Sequence, residues 1–177
     1  MIVIPDLHQI DGELRQPPPT PAHRWTGTEW VFDPDKQTEL NQLECLKLCA
    51  AIDAVADATR HAIAGDALRV LEYEQAARDA KAFQEGGFPS GEVPLSVAAW
   101  VVNDRTARQA AEDILTKASI LNDAVLRIRT VRLQGKEALR LEMSKGNVDA
   151  ARQLADETIT QINRLSHELA PPLNLRQ

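Results

Sequence analysis

Between Pro94 and Pro171 the chain carries no proline, and its apolar residues recur at alternating steps of four and three. Ala107, Ala111, Ile114, Ala118, Leu121, Val125 and Ile128 follow this rhythm. After a break, Val148, Ala151, Ala155, Thr158, Ile162, Leu165 and Leu169 repeat it. Such steps place one apolar stripe along one side of a helix, as in coiled-coil-like packing. Two long helices are predicted. The first is capped by Asn103 or Asp104 and reaches Lys145, about 60 Å at ~1.5 Å per residue. Gly135 is expected to weaken or bend it. The second is capped by Asn147 and closed by Pro171-Pro172. The short turn Lys145-Gly-Asn-Val148 folds the two into an antiparallel helical hairpin.

Upstream, Asp33-Pro34 reads as a helix start, with Asp as the cap and Pro at the first helical position. That helix runs through Leu43, Leu48, Ile52, Val55, Thr59 and Ile63 to a stop at Gly65. Asp66 caps a second helix carrying Leu68, Leu71, Ala76, Ala80 and Phe83, which Gly86-Gly87 end. Residues 86–95 form a loop, and residues 95–102 make one or two helical turns anchored by Trp100. The first 33 residues differ in kind. Half of the ten prolines fall there, at Pro5, Pro17, Pro18, Pro19 and Pro21. Residues 1–4 suit an edge strand, and Pro17-Pro-Pro-Thr-Pro21 an extended linker. In Arg24-Trp-Thr-Gly-Thr-Glu-Trp-Val-Phe32, Gly27 separates two short aromatic and β-branched runs, the pattern of a small hairpin whose turn brings Trp25 and Trp30 together. A two-stranded hairpin is marginal alone and must lean on something. The fold class is therefore mainly α: a small N-terminal β-hairpin region, then a four-helix body with a long antiparallel helical hairpin. The chain divides as residues 1–33, the helical pair and loop of 34–102, and the helical hairpin of 103–172.

Composition narrows the function. Apolar residues make up 44% of the chain but aromatic ones only 4%, so the core is alanine-rich and thin. A thin core is a reason to self-associate as a homo-oligomer or to borrow a partner's surface. The net charge of −6 argues against nucleic-acid binding. No apolar run approaches the ~20 residues that span a bilayer, so no membrane partner is expected. The first residues lack the basic region and apolar stretch of a signal peptide, which makes the cytoplasm the expected compartment. His8, His23, His61 and His167 show no metal-ligand spacing, no G-x-S-x-G elbow is present, and Gly86-Gly-Phe-Pro-Ser-Gly91 lacks the pattern of a phosphate-cradling loop. No enzyme activity, cofactor, metal or small-molecule substrate is expected. Cys45 and Cys49, four apart on a helix, read as small residues on a packing face.

Two patterns are candidates for binding. Trp25, Trp30 and Phe32 crowd three of the chain's seven aromatic residues into eight positions. Tryptophan is favoured where a large face is desolvated by a partner. The same hairpin would otherwise only cap the helical body. Arg129, Arg132, Lys136 and Arg140, at steps of three, four and four, line one helix face. They suit an acidic partner surface, or pairing with Asp149, Asp156 or Glu157 on the last helix.

The segments Pro17-Pro-Pro-Thr-Pro21, Trp25-Thr-Gly-Thr-Glu-Trp30-Val, residues 72–89, residues 93–100, Ala110-Ala-Glu-Asp-Ile-Leu115 and Ile128-Arg-Thr-Val-Arg-Leu-Gln-Gly-Lys136 together resemble phage and prophage tail fibre assembly proteins, including those of phage-tail-like bacteriocins. The likeness spans about three-quarters of the chain, and the Cys-containing helix after Pro34 and the last helix depart from it. The resemblance implies a chaperone that binds the receptor-binding end of a trimeric tail fibre protein in the bacterial host cell and promotes its folding and trimerisation, with release from the particle left open. It implies partner contacts through Trp25, Gly27, Trp30 and Phe32. A structural coiled-coil subunit of a phage-like particle is the alternative.

Overall fold

A computed structural model describes residues 8–10 and 12–169. The strand expected over residues 1–4 lies outside them, as do the closing prolines Pro171 and Pro172. The protein is mainly helical behind two small antiparallel hairpins. Strands β1 (His8–Ile10) and β2 (Glu13–Arg15) form the first, turning at Gly12 with φ +86°. Strands β3 (His23–Trp25) and β4 (Trp30–Phe32) form the second. The helices are α1 (Pro34–Ala64), α2 (Ala67–Glu85), the single turn α3 (Leu95–Ala98), α4 (Ala107–Ser144) and α5 (Val148–Leu169).

Local signals set most helix ends. The Asp33 carboxylate accepts from the amides of Asp35 and Lys36, and Asp66 does the same for Leu68 and Arg69. The cap of α4 differs from expectation. Asn103 and Asp104 take left-handed φ values of +53° and +60° in the preceding turn, a conformation that short polar side chains tolerate. Thr106 is the cap instead, in a reciprocal box with Gln109. At the other end Gly146, φ +80°, lets the chain reverse into α5. The Asn147 amide there donates to Glu142 at 2.7 Å, and Lys145 also contacts that carboxylate at 2.6 Å.

Helix α4 is the spine, 38 residues and about 57 Å long at ~1.5 Å per residue. Its C-terminal half packs with α1 and α5 in a three-helix bundle around Ile52, Ala56, Ile128, Leu139, Ala155 and Ile162. Its N-terminal half packs with α2 and α3 around Ala80, Phe83, Val97, Ala110 and Ala111. Helices α1 and α2 follow one another end to end along opposite halves of α4, so each buries its apolar side against the spine and not against the other.

The α5 stripe is buried as its spacing requires, at Ala151, Ala155, Thr158, Ile162 and Leu165. The α4 stripe is broader than a single line. Ala110, Ala124 and Leu139 join Ala111 and Ile128 in the interior because α4 meets different neighbours along its length. Gly135 does not interrupt α4. It sits where α4 and α5 approach closely: a β-carbon there would lie 2.5 Å from Thr158 Cγ2 and 2.9 Å from its Cβ. No helix among the described residues is long and apolar enough to cross a membrane.

Candidate protein-binding site

The second hairpin is built by its turn. Strand pairing places Trp25 opposite Trp30 and His23 opposite Phe32. Between the tryptophans, the Thr26 amide donates to Glu29 O at 3.0 Å, and the Thr26 hydroxyl donates to the same carbonyl at 3.1 Å. Gly27 takes φ +105°, which a residue bearing a β-carbon rarely adopts. The indoles meet edge to face with centroids 5.4 Å apart, and His23 meets Phe32 similarly at 5.6 Å. Such pairs add about 0.5–1.5 kcal/mol beyond area burial. The Trp30 indole N–H donates to Gln16 O at 3.1 Å, which ties the proline-rich segment to the hairpin.

The hairpin leans on the first turn of α1. The Asp33 amide donates to Ala22 O at 2.9 Å, Lys36 Nζ donates to His23 O at 3.3 Å, and Arg24 pairs with Asp33 at 3.3 Å. Ala22 is fully buried at this junction. One carboxylate, Asp33, thus caps the helix and holds the hairpin. Thr38 of α1 lies beside Met143 and Gly146, so the hairpin stands beyond the α4–α5 turn, at the end of the three-helix bundle. Phe32 is 48% exposed and Val31 36%, while Trp25 and Trp30 are half-buried. Among the described residues β3 and β4 form a two-stranded sheet of their own.

The basic face of α4 does not meet the carboxylates expected for it on α5. Arg132 and Lys136 turn to Asp53 on α1, at 3.1 and 2.5 Å, and not to Asp149, Asp156 or Glu157 on α5. Partial burial pushes the Asp53 carboxyl up, but Lys136 and Arg132 outweigh it and hold the group below the usual carboxylate range. Both cations are largely enclosed. They clamp α1 to α4 and have little surface for a partner. Arg140 pairs with Glu137 at 2.5 Å, and Arg129 is exposed.

A second polar cluster lies at the other end of the spine. Trp100 donates its indole N–H to Asp113 at 2.7 Å, and Arg105 and Lys117 pair with that carboxylate at 3.3 and 3.2 Å. Lys117 Nζ also sits 4.4 Å from the Trp100 ring centroid. Burial pushes Asp113 up, and the indole and Lys117 bring it below the ordinary carboxylate value. This cluster borders an apolar cleft of about 320 Å³ between α2, α3 and α4, walled by Tyr73, Ala76, Trp100, Ile114 and Leu121. Trp100 was expected as an anchor. Its partner Asp113, 13 residues on, carries no local sign of the pairing. Among the described residues no three of His, Cys, Asp and Glu come together as metal ligands.

Compared with protein-family models, curated proteins and solved structures, the chain finds no match.

Proposed function

We propose that the chain is an assembly chaperone, acting in a bacterial host cell without chemistry of its own, that holds the β-rich receptor-binding end of a trimeric tail fibre through its N-terminal hairpin. The observation that carries this reading is the hairpin: paired indoles beside exposed Val31 and Phe32, standing beyond the helical bundle. Intertwined β tips form slowly through non-local pairing and expose unpaired edges meanwhile. A hairpin bearing aromatic anchors can cover such edges through its aromatic face or by strand addition. Binding to the assembling fibre shifts its folding equilibrium by mass action, so no nucleotide is required.

The test is coexpression with a tail fibre carrying its receptor-binding end. The protein raises the yield of soluble trimer and co-purifies with it, and the Trp25→Ala/Trp30→Ala variant loses capture while keeping its far-ultraviolet helical signal. Equal trimer yield without the protein removes the chaperone role. Undiminished capture by the double variant removes the hairpin from the interface. Fixed copy number in mature particles without any effect on trimer yield would make the chain a structural subunit instead.

A further inference from the structure

The chain has two cysteines and two methionines, and three of these four sulfur residues lie along one helix seam. Cys45 and Cys49 are one turn apart on the side of α1 that faces α4, close enough for their thiols to interact. Cys49 belongs to the core cluster of the three-helix bundle, and Cys45 and Met143 pack against the same cluster. Cys45 and Met143 also share the wall of an opening of about 400 Å³ beside Thr38, Asn41 and Gln42, while Cys49 is buried behind it.

From this convergence we infer that Cys45, Cys49 and Met143 form a binding site for a soft monovalent cation, Cu(I). Thiolate and thioether sulfur are the donors that such ions prefer, and a d10 ion imposes little geometry of its own. Two cysteines one helical turn apart present two donors from the same helix face, and Met143 supplies the third from the facing helix. Among the described residues no His, Asp or Glu joins the two cysteines in a metal-holding group, which disfavours Zn(II).

The charge balance also fits. Binding converts two thiols to thiolates, releases their protons to solvent and leaves copper in the +1 state, so the site carries one net negative charge. Burial and the neighbouring Cys45 raise the Cys49 thiol, which opposes this step, and Arg140 and Lys136 offset only part of that rise. Both cations lie on α4, where Lys136 also pairs with Asp53 and Arg140 with Glu137. The bound ion would bridge α1 and α4 near the hairpin end of the bundle.

The reduced full-length protein is titrated without oxygen against Cu(I) held by the chromogenic chelator bicinchoninate. The protein withdraws one equivalent per chain, develops ultraviolet thiolate-to-copper charge-transfer absorption, and melts at a higher temperature when loaded. Loaded protein also resists iodoacetamide labelling at Cys45. Met143→Leu, close in volume, weakens binding by about tenfold, and Cys45→Ala abolishes stoichiometric uptake. Cys45 is half-exposed, so its variant decides the matter even where Cys49→Ala fails to fold. Equal withdrawal by the Cys45→Ala variant, unchanged affinity in Met143→Leu, or Zn(II) uptake that displaces Cu(I) would each overturn the assignment.

Discussion

Replacing Gly135 with Ala separates two opposed effects at one position. On an exposed helix the change is favourable by about 1 kcal/mol, because alanine costs less backbone entropy than glycine. Here the new methyl would stand 2.5 Å from Thr158 Cγ2 and 2.9 Å from its Cβ, far inside van der Waals contact. Thr158 cannot simply swing away. It is buried, β-branched and stiff, and its hydroxyl donates to Leu154 O at 2.7 Å. The helices must therefore separate, at a typical overpacking cost of about 1–3 kcal/mol. Subtracting the propensity gain leaves a net loss of about 0–2 kcal/mol. For a chain of this size that lowers the melting temperature by up to about 8 °C. Urea denaturation of Gly135→Ala, Thr158→Ala and the double variant measures both the loss and the coupling, and the double variant should lose less than the sum of the singles. A stabilised Gly135→Ala protein would refute the close approach of α4 to α5.

Three further outcomes follow from the described contacts. Asp53→Asn leaves the enclosed Arg132 and Lys136 without their counterion and lowers stability by about 1–3 kcal/mol at neutral pH, read by urea unfolding. Because the folded-state pKa of Asp53 is depressed, its contribution is present above the unfolded value of 3.8 and disappears as pH falls through the lower folded value; the variant should lack that acid-side loss. Thr106→Ala breaks the capping box of α4 and costs about 1 kcal/mol, with faster amide exchange confined to the first turn of that helix. Gly27→Val strains the β3–β4 turn and should disperse the exciton-like near-ultraviolet signal of the paired indoles while sparing the far-ultraviolet helical signal.

Much of the architecture was legible because its signals are local. Asp33-Pro34, Gly65-Asp66 and Gly146 mark helix ends through caps and turns that involve only neighbouring residues. The α5 stripe was legible because that helix buries a single side. The α4 stripe was read incompletely because a helix with neighbours on several sides has no single apolar line. The cap of α4 was misplaced because Asn103, Asp104 and Thr106 are all good capping residues, and only the left-handed turn before Thr106 selects among them. The His8–Arg15 hairpin was missed, since three-residue strands give too few positions for alternation to register. In the candidate site, the meeting of Trp25 and Trp30 was readable from a four-residue turn. The engagement of Arg132 and Lys136 by Asp53, about 80 residues away in sequence, was not, because only the packing of α1 on α4 creates it.

The separation of the interior into two clusters along α4 has a consequence for how the molecule opens. The cluster around Phe83 and Val97 is small and half alanine, and it shares no buried residue with the larger one. Its elements should therefore detach from the spine at lower free energy than global unfolding requires. Protease nicking would begin in the glycine-rich stretch between α2 and α3, leaving behind a resistant fragment in which α1, α5 and the far half of the spine still hold together.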